Sequence, residues 1–501
     1  MASHIVLARV GAGKTEAAQS RLLEVKRAKP LAKVWVLLST ERQISDFRRR
    51  LSVENQRVLF NIEFFTFYPL YNRILTLGAS PQRCLDNTAR YGLLREILRG
   101  LPLNVYKGIA QTPGFIRIVA ALIYELKQNL ITPQAFELGA ANAKERELAQ
   151  IYDAYQTVLR EHDLVDREGE GWLALDALGN NRRLASDVEL LIVDGYDQFN
   201  FLQARLLSEL GTRAKETLIT LTTAEGREQT TGRRFARALE RLRETHDAAR
   251  LSESFIPQTG IGRDPALLHL ADQLLRPVPT PYSESTSALR LLEAPDPTAE
   301  AAMILRRIKR LLLNGVHADD VLIAVRDWTA YADPFMAAAR AYGVPVSVNY
   351  GESLATNPAI TALMNLLDLH KGDFRRRDLM DTLRSPYFKI PGVSADLIDA
   401  LERAAYDAMI NAGRSAWLDA VDLLAIPASD PDEDGEESRT IPSFDAEIVA
   451  AFRAALVMFF DAITPPETGS AHEYIAWLEG LIGYDAPDPD EDADDSPAVP
   501  A

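Results

Sequence analysis

The stretch Ala8-Arg9-Val10-Gly11-Ala12-Gly13-Lys14-Thr15, fed by the apolar run Ile5-Val6-Leu7, constrains this chain more than any other. A buried strand, a glycine-rich turn and a helix beginning near Thr15 form a unit whose backbone N–H groups converge on an anion. In the G-x-x-x-x-G-K-[ST] pattern, the backbone from Gly11 through Ala12, Gly13, Lys14 and Thr15 cradles phosphates. The Lys14 ammonium reaches the outer phosphates, and the Thr15 hydroxyl holds Mg²⁺. The first position departs from the pattern, being Ala8 instead of glycine. With alanine allowed there, residue frequencies give a chance match on the order of 1 in 10⁴ per position. Binding of ATP with Mg²⁺ is the leading expectation; hydrolysis is a separate matter.

The remaining pattern predicts a doubly wound parallel α/β sheet with its ligand at the carboxyl ends of the strands. Strands read out of residues 34–38, 62–65, 189–194 and 217–222, and a helix out of 41–51. Within 189–194, Leu190-Leu191-Ile192-Val193 is an uninterrupted apolar run ending in Asp194, as suits a central strand buried on both faces. Between 87 and 178 apolar residues recur at helical spacing, which predicts a helical insertion. After a proline-rich connector near 277–281, a second α/β unit is expected, with strands at 289–292, 321–325 and 344–348 and helices over 298–313, 329–342 and 359–370. The domain reading is 1–80 with 185–280 for the phosphate-loop domain and 81–184 for its insertion. It continues with 281–392 for a second, incomplete domain, 393–484 for a second helical insertion and 485–501 for an acidic disordered tail.

Asp194 stands where a phosphate-loop enzyme holds Mg²⁺ through a second motif, and otherwise reads as a strand-end turn cap. The next residue is Gly195, where a general base would be useful and glycine cannot serve; Asp197 is close enough in sequence to substitute. Arg326, directly after the expected 321–325 strand, is a candidate arginine finger for the outer phosphate, or half of a surface ion pair with Asp327. Thr66 and Phe67, followed by Tyr68 and Tyr71, either present exposed rings to the bases of single-stranded DNA or pack the helical insertion onto the sheet. The seven histidines show no metal-ligand spacing.

A net charge of −16 over 501 residues argues against nucleic acid only until its distribution is seen. Segments 430–437 and 485–495 hold 6 and 7 acids, most of the excess, with no lysine or arginine. Arginines cluster at 48–50, at 233, 234 and 237, at 306, 307 and 310, and at 375–377, each readable as a solvated helix face. The single cysteine, Cys84, excludes an intrachain disulfide and a cysteine-ligated cluster. No apolar stretch approaches the ~20 residues of a membrane span. The phosphate loop so near Met1 leaves no room for a signal peptide. A cytoplasmic protein is expected.

Taken in order, these residues resemble the B subunits of AddAB-type ATP-dependent helicase–nucleases, relatives of the UvrD-like superfamily 1 helicases. The points of likeness are Gly13-Lys14-Thr15, Leu38-Ser39-Thr40 with Gln43, Thr66-Phe67 with Leu70, and Leu191-Ile192-Val193-Asp194-Gly195-Tyr196 with Phe199. The segment from Val321 to Arg326 follows. Gly343-Val344-Pro345 with Leu354 and Pro358, then Leu383-Arg384-Ser385-Pro386, resemble the family's second motor-like domain. The likeness runs over roughly residues 4–484. It implies two RecA-like domains, each with a helical insertion, and a separate motor subunit as partner. It also implies action on single strands and duplex ends of DNA in recombinational repair. The family's nuclease domain and the cysteines of its iron–sulfur cluster have no counterpart here, so the chain is expected to be an N-terminal half without strand cleavage. Three readings stay open: an ATP- and DNA-binding repair protein, a scaffold with a vestigial nucleotide pocket, and an unrelated phosphate-loop kinase.

Overall fold

A computed structural model describes residues 2–54, 59–78, 82–223, 226–227, 230–257, 264–276, 278–348, 354–426 and 442–483. The acidic run 430–437 and the tail 485–501 lie outside the described residues. The chain divides into two compact units, Met1–Leu292 and Glu293–Ala501.

The first unit is built on a six-stranded parallel sheet. Its strands are β1 (Ala2–Ala8), β2 (Lys33–Leu38), β3 (Ile62–Phe65), β6 (Val188–Asp194), β7 (Glu216–Thr222) and β8 (Leu251–Ile256), in the order β3-β2-β6-β7-β1-β8. A separate two-stranded parallel pair, β4 (Arg83–Cys84) and β5 (Leu164–Val165), sits within the helical block. Alternation along the central strands fills both faces of the large sheet. Val34, Val36, Leu38, Leu190 and Ile192 point to a layer made by α1 (Lys14–Ala28) and α2 (Glu41–Arg49). Trp35, Leu37, Leu191 and Val193 point to the opposite layer. That layer holds α3 (Phe67–Leu77), with three helices from later in the chain. Burial on both faces is what continuous apolar runs such as Leu190 to Val193 demand, and it selects parallel pairing with helical crossovers.

Between β4 and β6 the chain forms α4 (Asn87–Gly100), α5 (Pro113–Gln128), α6 (Pro133–Gly139), α7 (Ala143–Glu161) and α8 (Arg167–Asn180). Leu94, Leu98, Ile116, Val119, Ile123, Ile151, Tyr152 and Tyr155 form a core of their own there. A polar knot ties the helices of this block together. The Lys127 ammonium meets Asp166 Oδ1 at 2.6 Å, with both side chains almost fully buried. Asp166 also accepts the Tyr155 hydroxyl at 3.0 Å and the Gly169 N–H at 2.7 Å, which caps α8. The unit continues with α9 (Phe201–Gly211), α10 (Arg233–Thr245) and α11 (Pro265–Gln273).

β8 is not expected from the sequence. Its residues, LSESFI, mix polar and apolar side chains and are largely exposed, because it is an edge strand paired on one side only, to β1. The His4 imidazole reaches Ser252 Oγ and Ser254 Oγ, each at 2.8 Å, across that pairing.

The expected strands from residue 289 onward are corrected. Among the described residues of the second unit no segment pairs into a sheet; 321–325 and 344–348 run as irregular chain, as does 289–292 at the end of the first unit. The apolar run at 321–325 buries side chains without forming a ladder. Val321, Ile323, Val325 and Val346 lie against the apolar core shared by helices Pro297–Leu313 and Trp328–Tyr342, while Leu322 is 80% exposed. A parallel strand is stable when both its faces are covered, and here only one is. A second RecA-like sheet is therefore not observed. From Pro358 onward the unit is helical, with a core containing Trp417, Phe452, Leu456 and Phe460. Among the described residues no helix is long and apolar enough to cross a membrane.

Candidate phosphate-binding site

β1 delivers the glycine-rich turn at the carboxyl edge of the sheet. Ala8 is the last residue of β1, fully buried and paired with Thr222 and Ile256. It sits in extended backbone, so the pattern's first glycine is dispensable here. Gly11 and Gly13 are not: their φ values of 76° and 92° fall in the left-handed region. Gly13 caps α1 without a side chain, which leaves the first-turn N–H groups of the helix open toward the turn.

Asp194 ends β6 with 3% of its surface exposed. Its Oδ2 accepts the Thr15 hydroxyl at 2.8 Å, and its Oδ1 accepts the Thr220 hydroxyl. Thr220 lies on β7, which separates β1 from β6, so three adjacent strands bring one helix start and one carboxylate together. Lys14 is half-buried, and its ammonium donates to the Arg9 carbonyl at 3.2 Å. Burial pushes the Lys14 pKa down, against the pull of the Asp194 carboxylate. An ammonium with three donors, one neutral acceptor and a desolvation cost is poised for an anion. Arg9 itself is tied to Asp272 of α11 at 2.7 Å, which anchors the turn.

The predicted residues Gly11, Ala12, Gly13, Lys14, Thr15 and Asp194 therefore gather in one place. A hydroxyl and a carboxylate oxygen 2.8 Å apart are a donor set suited to Mg²⁺ and its water shell. Thr220 escapes the sequence reading; its signal, a threonine near the end of a neighbouring apolar strand, is too common to stand out.

Gly195 is held by its surroundings. Its φ is +79°, and a Cβ there would lie 2.6 Å from Gln43 Oε1. Gln43 is fixed in turn by Ser39, whose N–H and hydroxyl donate to Oε1 at 3.1 and 2.6 Å. A Gly195→Glu variant thus meets both left-handed strain and an occupied space. We expect it to lose at least about 1 kcal/mol of stability in urea unfolding and to gain no ATP turnover. A variant as stable as the parent that hydrolyses ATP faster would contradict this. Asp197 is half-buried and ion-paired to Arg234 at 2.6 Å.

The expectation of an exposed ring at Phe67 is corrected. Phe67 is 4% exposed, with ring centroids of Tyr196 and Phe199 at 5.1 and 6.4 Å. The ring is buried because it joins the core between α3 and the sheet, so it cannot stack on a base as it stands. Thr66 is half-buried and caps α3 without a side-chain hydrogen bond. Arg326 belongs to the second unit, where it is exposed; Asp327 caps the following helix through the Thr329 N–H at 3.0 Å.

What the first unit defines is a parallel α/β domain with a glycine-rich turn after its first strand and a buried carboxylate at the end of a central one. Residues 5–258 match the family described as "ADDB, N-terminal", and the chain belongs to that family. It is similar to the B subunit of the "ATP-dependent helicase/deoxyribonuclease" of Bacillus subtilis (strain 168), 24% identical over 439 residues, which are 80% of this chain and 37% of the relative. Proteins of the same name match from Exiguobacterium sibiricum, at 22% identity over 80% of this chain and 36% of theirs, and from Lachnoclostridium phytofermentans, at 22% over 75% and 35%. The chain thus spans little more than a third of the length of these relatives.

Proposed function

We propose that this chain binds ATP with Mg²⁺, and single-stranded DNA, as the N-terminal portion of the B subunit of a helicase–nuclease. It would act in the cytoplasm with a separate motor subunit, on duplex ends during recombinational repair. The observation that carries the reading is the contact of Thr15 and Thr220 with Asp194 beside the left-handed glycines of the turn. Membership of the family supports the DNA and partner parts. Lys14 and the open N–H groups of α1 would hold the phosphates, while Thr15 and Asp194 would hold the metal. Magnesium bound there neutralises phosphate charge. Asp194 is kept oriented by its two threonine donors. Arg326 as an arginine finger and Thr66 as a DNA contact belong to the same proposal.

A second reading, a scaffold whose pocket turns nothing over, is favoured by one observation. Gln43 fills the space beside Gly195, where an acid would otherwise stand to draw a proton from water.

Calorimetric titration with ATP, with and without Mg²⁺, tests the reading, alongside hydrolysis assays with and without single-stranded DNA. We expect binding that strengthens with Mg²⁺, and turnover that is slow at most. Absence of ATP binding while DNA is still retained would establish the scaffold instead.

A further inference from the structure

The arginines of α10 have no part in the phosphate site, and their placement is not explained by helix stability. Arg233 and Arg234 open α10, with no acidic residue in its first turn. Cations at a helix N-terminus oppose the macrodipole, so this order costs stability. Arg233, Arg237 and Arg241 recur every fourth residue and form one stripe along the helix. With Arg234 and Gln198, the stripe lines a pocket of about 420 Å³ whose floor is the buried Phe199. Only part of this charge is neutralised. Arg234 pairs with Asp197 at 2.6 Å, and Arg241 lies over the Phe201 ring and approaches Glu244 at 3.7 Å. Among the described residues the guanidinium groups of Arg233 and Arg237 have no hydrogen-bond or ion-pair partner.

In two of the other arginine clusters the charge is engaged locally: Arg48 lies over Phe64, Arg49 pairs with Asp46, and Arg376 lies over Tyr406. The α10 stripe combines unpaired guanidinium groups, a concave surface and an order that works against the helix dipole. Such a local conflict is the mark of a site selected for binding.

We propose that this pocket binds the phosphodiester backbone of single-stranded DNA, Arg233 and Arg237 contacting successive phosphates. The inference rests on the DNA-binding part of the function proposed above. Four residues of helix rise about 6 Å, so the stripe suits a row of charges better than one compact group. The one aromatic ring at the pocket is buried, which leaves no stacking platform, so recognition there is independent of sequence.

The test uses the full chain and a fluorescent oligodeoxythymidine, with affinity measured across salt concentrations. Changing Arg233→Gln together with Arg237→Gln should weaken binding and reduce the slope of log K against log salt by about 1.4. Mg-ATP affinity should stay at the parent's value, which also reports that the variant is folded. An Arg233→Lys, Arg237→Lys variant should keep the parent's slope. If the parent binds the oligonucleotide and the glutamine variant shows the same affinity and slope, the assignment of this pocket is wrong. If the variant instead loses Mg-ATP affinity with DNA binding intact, the pocket serves the nucleotide and the proposal likewise falls. A parent that does not bind the oligonucleotide overturns the DNA-binding reading itself, and this inference with it.

Discussion

Changing Lys14 to alanine is expected to abolish the stabilisation that Mg-ATP confers while leaving the fold intact. In the parent, ATP at about a hundred times its dissociation constant should raise the unfolding free energy by about 2.7 kcal/mol. At that same concentration the variant should show no shift in its thermal transition. The fold is expected to survive because Lys14 is a half-buried cation whose pKa is already lowered by burial. Its hydrogen-bond partner is a neutral carbonyl, so its removal relieves desolvation and opens no ion pair. The ligand-free variant should therefore melt at or above the parent's temperature. A variant that ATP still protects would show that the nucleotide sits elsewhere.

Asp166→Ala should give the largest loss of stability in the helical block, about 3–5 kcal/mol, because it strands a buried ammonium. Lys127 would keep only Gln156 Oε1, at 3.0 Å, and α8 would lose its cap. The units need not unfold together, so local hydrogen exchange in α5 and α8 is the proper readout. The pH dependence has a definite sign. Burial holds the Lys127 pKa below its ordinary 10.5, and Asp166 opposes that shift. Without the carboxylate the folded pKa falls further, so the unfolded chain binds more protons between that value and 10.5. The variant's deficit should accordingly shrink as pH rises through this window. A Lys127→Met, Asp166→Asn double variant should recover most of the loss while keeping the cap. Equal exchange rates in the parent and Asp166→Ala would contradict the account.

Central elements are legible because burial on both faces writes itself into composition. Residues 62–65 are β3 as read, and 189–194 and 217–222 lie within β6 and β7, which begin one residue earlier. The phosphate turn is legible because left-handed backbone requires glycine at 11 and 13. β8 is not, since an edge strand left largely exposed needs no continuous apolar run. At 321–325 the opposite error arises, where the apolar run from Val321 to Val325 buries one face only and no sheet forms. Phe67 misleads for a related reason: sequence places an aromatic at a strand end but does not say whether a neighbouring Tyr196 and Phe199 will cover it. Gln43 of α2 against Gly195 is a contact between residues far apart in the sequence, and no local pattern encodes it.

The position of β1 also governs how the chain comes off the ribosome. β1 lies inside the sheet, between β7 and β8, and the serines that meet His4 lie 248 and 250 residues further on. Until β7 has emerged, the apolar run Ile5-Val6-Leu7 lacks its neighbour in the sheet. Pairings of such long range close slowly and leave strand edges open to other chains. Translation must therefore proceed through β7 before the glycine-rich turn has a sheet to stand on, and pairing with β8 comes later still.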